Sequence, residues 1–131
     1  MDIKQIAKDT AKTLSSYLTY QAMRTVLAQL HETNPPLALW LHQFSATNRI
    51  QNGELYIEEL FRENPDLALR IMTIRELLAE EVTEYLPEMV KMEIQRANMQ
   101  HRRQHLERIT QFSLSDPATE SELSPDSEPE I

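Results

Sequence analysis

Residues 64–90 read NPDLALRIMTIRELLAEEVTEYLPEMV, and this stretch decides the fold class. Asn64 can accept from the free amides of a helix that begins at Pro65, where a missing N–H costs nothing, and Asp66 puts an acid where the helix dipole favours one. Behind that start, Leu67, Ile71, Ile74, Leu78, Val82, Tyr85 and Met89 recur every three or four residues, the spacing of a single helix face. The pattern resumes through Val90, Ile94 and Ala97. Pro87 removes one backbone hydrogen bond and crowds the carbonyl four residues earlier, so a kink near 83–87 is expected inside one long helix.

Upstream, Asn34-Pro35-Pro36 repeats the cap-plus-proline signal, and Leu37, Trp40, Leu41 and Phe44 give the i, i+3, i+4, i+7 pattern of another helix. Ser45-Ala46-Thr47-Asn48 then reads as a loop. Nearer the start, Ile3, Ala7, Ala11, Leu14 and Leu18 form one amphipathic stripe, which Met23, Val26, Leu27 and Leu30 continue after a bend or short break. Asn52-Gly53 could mark a hairpin, but neither flank alternates as a strand should. It is read as a loop into a helix that buries Tyr56, Ile57, Leu60 and Phe61. Gly53 is the one glycine in 131 residues, too few for the turns and bulges of a sheet protein, so the expected fold is all-α.

A helix from 67 to 112 would run roughly 68 Å, whereas a compact domain of this length has a radius of gyration of about 13 Å. Such a helix outruns its own domain and leaves Met92, Ile94, Met99, Leu106, Ile109 and Phe112 in water. A second copy would cover them, and two-fold pairing is the commonest closed symmetry, so a homodimer is expected.

The chain carries 21 acidic and 13 basic side chains, a formal charge of −8 that disfavours nucleic acid as a partner. Cysteine is absent, which excludes disulfides, thiolate metal sites and cysteine nucleophiles. No signal-peptide pattern opens the sequence and no apolar run approaches the roughly 18 residues of a membrane span, so a soluble, cytoplasmic protein without membrane contact is expected. Asp116, Glu120, Glu122, Asp126, Glu128 and Glu130 fall in the last 17 residues with no base among them. With Pro117, Pro125 and Pro129 and few apolar side chains, residues 115–131 are read as a disordered acidic tail beyond a helical domain at 1–114. Solubility is the simplest role for that tail; contact with a partner, or phosphorylation, is the other.

Few residues invite catalysis. His101 and His105 have the spacing at which two imidazoles can share a metal, but Arg102-Arg103-Gln104 sets two cations beside the pair, and no metal is expected. His31 and His42 belong to no nucleophile motif, and one glycine cannot build a phosphate loop. Glu58-Glu59, Glu80-Glu81 and Glu84 should face solvent from helices. Neither enzyme activity nor a cofactor is expected. Arg96, Arg102, Arg103 and Arg108 form a basic stretch suited to phosphates or acidic side chains; the acidic whole favours a protein partner or the chain's own ion pairs over the rival reading, a helical nucleic-acid binder whose affinity would fall steeply with salt. Thr13, Tyr17, Tyr20 and Arg24 fall on one side of the first helical segment. The tyrosines fit two roles, core packing or a groove that grips an extended peptide.

Five strings carry a wider likeness: Ile6-Ala7-Lys8-Asp9-Thr10-Ala11, Tyr17-Leu18-Thr19-Tyr20-Gln21-Ala22, Glu32-Thr33-Asn34-Pro35-Pro36-Leu37-Ala38, Asp66-Leu67-Ala68-Leu69-Arg70-Ile71-Met72-Thr73 and Leu86-Pro87-Glu88-Met89-Val90. In these the chain resembles the cyanobacterial RbcX proteins, assembly chaperones of the Rubisco large subunit, over about residues 1–113. The resemblance implies an arc-like homodimer of four-helix protomers with a long, proline-kinked final helix and a central groove built by both subunits. It implies ATP-independent capture of the C-terminal segment of the Rubisco large subunit, stabilisation of large-subunit dimers and the octameric core, and displacement by small subunits. The cyanobacterial cytosol is the implied location, with carboxysome association as an option.

Carried over by position, Thr13, Tyr17, Tyr20, Ile50 and Gln51 would line the groove. Gln29, Glu32, Asn34, Trp40, Arg70, Glu76 and Arg102 would form the peripheral partner surface. Family members carry Asp-Gly where this chain has Asn52-Gly53, which changes one loop charge. A helical adaptor for a linear motif of another protein is the alternative with the same fold.

Overall fold

The computed structural model describes residues 1–47 and 51–115 and is all-α. Four helices follow in order: α1 (Ile3–Thr33), α2 (Pro35–Thr47), α3 (Gly53–Glu63) and α4 (Pro65–Ser115). The chain divides into two compact units, Met1–Glu84 and Tyr85 onward.

Two of the corners in the first unit are single residues. The Asn34 amide donates to the Leu30 carbonyl at 2.7 Å, closing α1, and its side-chain oxygen accepts from the Leu37 amide at 3.3 Å, opening α2. Asn64 repeats the arrangement between α3 and α4, with 2.7 Å to the Leu60 carbonyl and 3.2 Å from the Leu67 amide. The following proline forces each asparagine out of the helical region, and then occupies the one helical position that needs no donor. Asp2 and Asn52 cap α1 and α3 in the same manner.

These corners fold four helices onto one core: Leu18, Ala22, Met23, Val26 and Leu30 of α1, Ala38 and Leu41 of α2, Tyr56, Ile57 and Leu60 of α3, and Leu67, Ala68 and Ile71 of α4. Two expectations are corrected. No break interrupts α1, because Thr19 and Ala22, both buried, carry the inner stripe across the gap between Leu18 and Met23. Ser45, Ala46 and Thr47 are helical and not a loop, and the Ser45 hydroxyl lies 2.6 Å from that of Tyr56. Asn48, Arg49 and Ile50, and the tail at 116–131, lie outside the described residues.

Gly53 is required for close approach, since its φ is not positive. A Cβ there would stand 2.9 Å from the Thr19 hydroxyl oxygen and 3.2 Å from the Ser16 Cα. Thr19 cannot yield: it is fully buried, it donates to the Ser15 carbonyl at 2.8 Å and it accepts from Arg75 at 3.1 Å. Gly53→Ala should therefore destabilise the protein by about 1–3 kcal/mol by forcing α3 off α1, read as a lowered thermal midpoint. An unchanged midpoint would mean that the two helices part without cost.

The second unit, described to Ser115, is helix throughout, with Pro87 inside it. Tyr85, Met89, Val90, Met92, Ile94, Met99, Leu106, Ile109, Phe112 and Leu114 are all exposed along it. So many exposed apolar side chains along one helix mark it as an interaction element.

Candidate peptide-binding face

Tyr17 and Tyr20 are surface residues, 56% and 40% exposed, which decides against a core role. With Ser16 of α1 and Gln51 they line a shallow hollow of about 320 Å³. A second hollow of about 420 Å³ shares Ser16 and Gln51 and is lined also by Lys12, Thr13, Ser15, Asn52 and Glu54. Tyr20 borders a third, about 440 Å³, with Met23, Arg24, Leu27, His42 and Ser45. The Arg24 guanidinium carbon lies 5.9 Å from the Tyr20 ring centroid, within cation–π range, and steadies the ring without covering it. Thr13, Tyr17, Tyr20 and Gln51 thus share one surface; Ile50 falls outside the described residues.

The floor of this face is held by a polar tie that periodicity did not reveal. Arg75 of α4 makes a two-pronged ion pair with Glu54 of α3, at 2.9 and 3.1 Å, and also donates to Thr19 of α1. Ser15 donates to Glu54 at 3.3 Å, and the Gly53 amide donates to Ser16 at 3.0 Å. Three helices are fixed by five side chains around one glycine. The hydrogen bond from Arg75 holds the Glu54 carboxyl below its ordinary range; partial burial opposes this, and the Arg75 charge and Ser15 reinforce it. A lowered folded value means that the carboxylate stabilises the fold above its unfolded pKa and ceases to do so as pH falls through the folded one. Between Glu54→Gln and the parent chain, the gap in unfolding midpoint at pH 7 should close towards about pH 3. A gap that persists in acid would assign the loss to packing. The clue available in sequence was Ser15, Ser16 and Thr19, small polar residues at one-turn spacing, where another helix can approach closely.

The peripheral residues are more scattered. Gln29 accepts from Arg70 at 2.6 Å, linking α1 to α4 on an exposed face. Glu32 is exposed near the end of α1, and Asn34 forms the corner. Trp40 is half-buried, stacked on Phe44 with ring centroids 5.2 Å apart, and packs against the core. Glu76 lines an apolar hollow of about 390 Å³ with Leu14, Leu18, Met72, Arg75 and Ala79. Arg102 is exposed in the second unit. Among the described residues no cluster of three or more His, Cys, Asp or Glu could hold a metal, and no helix is long and apolar enough to cross a membrane.

A family model described as RbcX protein matches residues 1–111. The chain belongs to the RbcX family. RuBisCO chaperone RbcX of Anabaena sp. (strain CA / ATCC 33047) is 72% identical over 130 residues, which cover 99% of this chain and 96% of the relative. The protein of the same name from Thermosynechococcus vestitus is 64% identical over 113 residues, 86% of this chain and 90% of its own length. A crystal structure of RbcX in complex with substrate superposes with a TM-score of 0.80 at 55% identity, covering 84% of this chain and 99% of that one. As in that RbcX chain, the fold is four-helical with a long last helix, so the exposed tyrosine face of α1 rests on a scaffold common to the family.

Proposed function

We propose that the chain is an ATP-independent assembly chaperone of the Rubisco large subunit, acting as a homodimer in the cytosol of a cyanobacterium. Its relatives are named RuBisCO chaperones, and one is solved with a substrate in place. The activity is holding, with no bond made or broken. The observation that carries the binding mode is the exposure of two phenol rings on one helix face with hollows on either side. Two amphipathic rings offer apolar area to an aromatic side chain and hydroxyls to an extended backbone, the combination a linear peptide needs.

In this reading Thr13, Tyr17, Tyr20, Ile50 and Gln51 grip the C-terminal segment of the large subunit. Gln29, Glu32, Asn34, Arg70, Glu76 and Arg102 meet its outer surface with charged and amide groups that set orientation, and Trp40 contributes the exposed part of its ring. The apolar residues from Tyr85 to Leu114 supply the area buried between subunits. Large-subunit dimers and the octameric core are held in this way until small subunits displace the chaperone.

Calorimetric titration with a peptide from the C-terminus of the cognate Rubisco large subunit tests the reading. Saturable binding at one peptide per two chains is the expected result. Failure to bind, with the dimer intact, would leave the family fold in place and move the ligand to another protein's linear motif.

A further inference from the structure

The tyrosine face is poor in acid within a chain that has a surplus of it. From Thr10 to His31, α1 carries Lys12, Arg24 and His31 and no carboxylate, and α2 has none, although the whole chain stands at −8. Among the described residues that line the three hollows the one acid is Glu54, and Arg75 already holds it through two hydrogen bonds. The hollow between α1 and α2 is the one that joins apolar wall to cationic rim. Buried Met23 and half-buried Leu27 supply the wall; Arg24 and His42, both exposed, supply the rim. Among the described residues neither makes an ion pair or a side-chain hydrogen bond, and Arg24 has only the Tyr20 ring, 5.9 Å from its guanidinium carbon.

We propose that this hollow is a subsite for an acidic stretch of the captured peptide. An apolar side chain enters over Met23 and Leu27, and a carboxylate one or two residues away from it is taken by Arg24, with an N–H of His42 as a second donor. The inference rests on the peptide-holding function proposed above and adds which peptides that face accepts. Continuity chooses the occupant, because Tyr20 borders this hollow as well as the one lined by Tyr17 and Gln51, so a peptide crossing the tyrosines is led to Arg24. Charge complementarity chooses its chemistry. A guanidinium with its N–H groups open is matched best by a carboxylate, which accepts two of them in parallel. The surplus of acid elsewhere on the chain does not repel such a peptide strongly, since exposed charges beyond about 8 Å are screened at physiological salt.

Titration calorimetry on the full chain tests this with two peptides from the C-terminus of the cognate Rubisco large subunit, both amidated at the end, one as encoded and one with its acidic side chains replaced by their amides. At about 50 mM salt the encoded peptide should bind about three- to tenfold more tightly, and about 0.5 M salt should narrow the margin. Arg24→Ala should erase the margin by weakening the encoded peptide, and Arg24→Lys should keep part of it. Arg24→Glu should turn the preference towards a peptide with lysines in place of those acids. An equal loss for both peptides in Arg24→Ala would reduce the arginine to a support for the Tyr20 ring and overturn the proposal. Equal binding of the two peptides by the parent chain, or a cognate segment with no carboxylate near its apolar anchor, would overturn it too, with the client left in place. Failure of the parent chain to bind either peptide would remove the client and the subsite together.

Discussion

Tyr20→Ala is expected to weaken capture of the C-terminal peptide of the Rubisco large subunit by about 2 kcal/mol, roughly 30-fold in Kd, while leaving the dimer and the fold intact. The ring is 40% exposed and borders two of the three hollows on this face, so it is the side chain a peptide meets from either side. Truncation removes aromatic area from the middle of the contact, where hot spots concentrate, and leaves the Arg24 guanidinium without its ring. Folding has little to lose, because the buried side chains of α1 are Leu18, Thr19, Ala22, Met23, Val26 and Leu30, and the Tyr20 ring is not among them. Titration calorimetry measures the effect, and sedimentation checks the dimer. Tyr20→Phe separates ring from hydroxyl: retained affinity assigns the binding to the ring. Parent-like affinity in the alanine variant would refute the placement of Tyr20 at the peptide.

The largest effect on stability should come from Tyr56→Ala, about 3–5 kcal/mol, the usual cost of emptying an aromatic site in a core. Tyr56 is 1% exposed, meets Phe44 edge-on with centroids 5.8 Å apart, and places its hydroxyl on Ser45. Tyr56→Phe keeps the ring and should cost only about 1 kcal/mol. The two variants also differ in alkali. Burial raises the Tyr56 phenol above its ordinary value, with the Ser45 hydrogen bond opposing the rise. A raised folded value makes this contribution complete below about pH 10, where the unfolded phenol is still neutral, and lost as pH climbs through the folded value. Chemical denaturation across that window should show a steeper alkaline decline for the parent than for Tyr56→Phe. Parallel declines would assign the alkaline loss to other groups.

The corners of this fold were legible because they are chemical punctuation: Asn34-Pro35 and Asn64-Pro65 each state where one helix stops and the next begins. The bend expected in α1 was an error of weighting. Thr19 and Ala22 are too small to register as apolar anchors, yet they are buried because a neighbouring helix comes close to them. Ser45 and Thr47 looked like loop residues, but a serine inside a helix is satisfied once a buried phenol stands within reach. The Arg75–Glu54 tie was invisible because its partners are 21 residues apart on different helices, and only the folded chain brings them together. At the candidate site, spacing placed Thr13, Tyr17 and Tyr20 on one face, but could not say whether the face turned inward. Exposure decided that, and the position of Gln51 beside the rings came from the α3 corner and not from any local pattern.

Single-residue corners also set who bears the entropy of capture. With α1 joined to α2, and α3 to α4, through one capped asparagine apiece, the helices around the tyrosine face have no slack to take up. A peptide reaching Thr13, Tyr17 and Tyr20 meets side chains on a helix whose following corner is fixed, so more of the freedom lost on binding is lost by the peptide. Its own stiffness then becomes the adjustable quantity: a client tail biased towards the extended form would stay longer, and a floppier one would leave sooner, with no change in any contact.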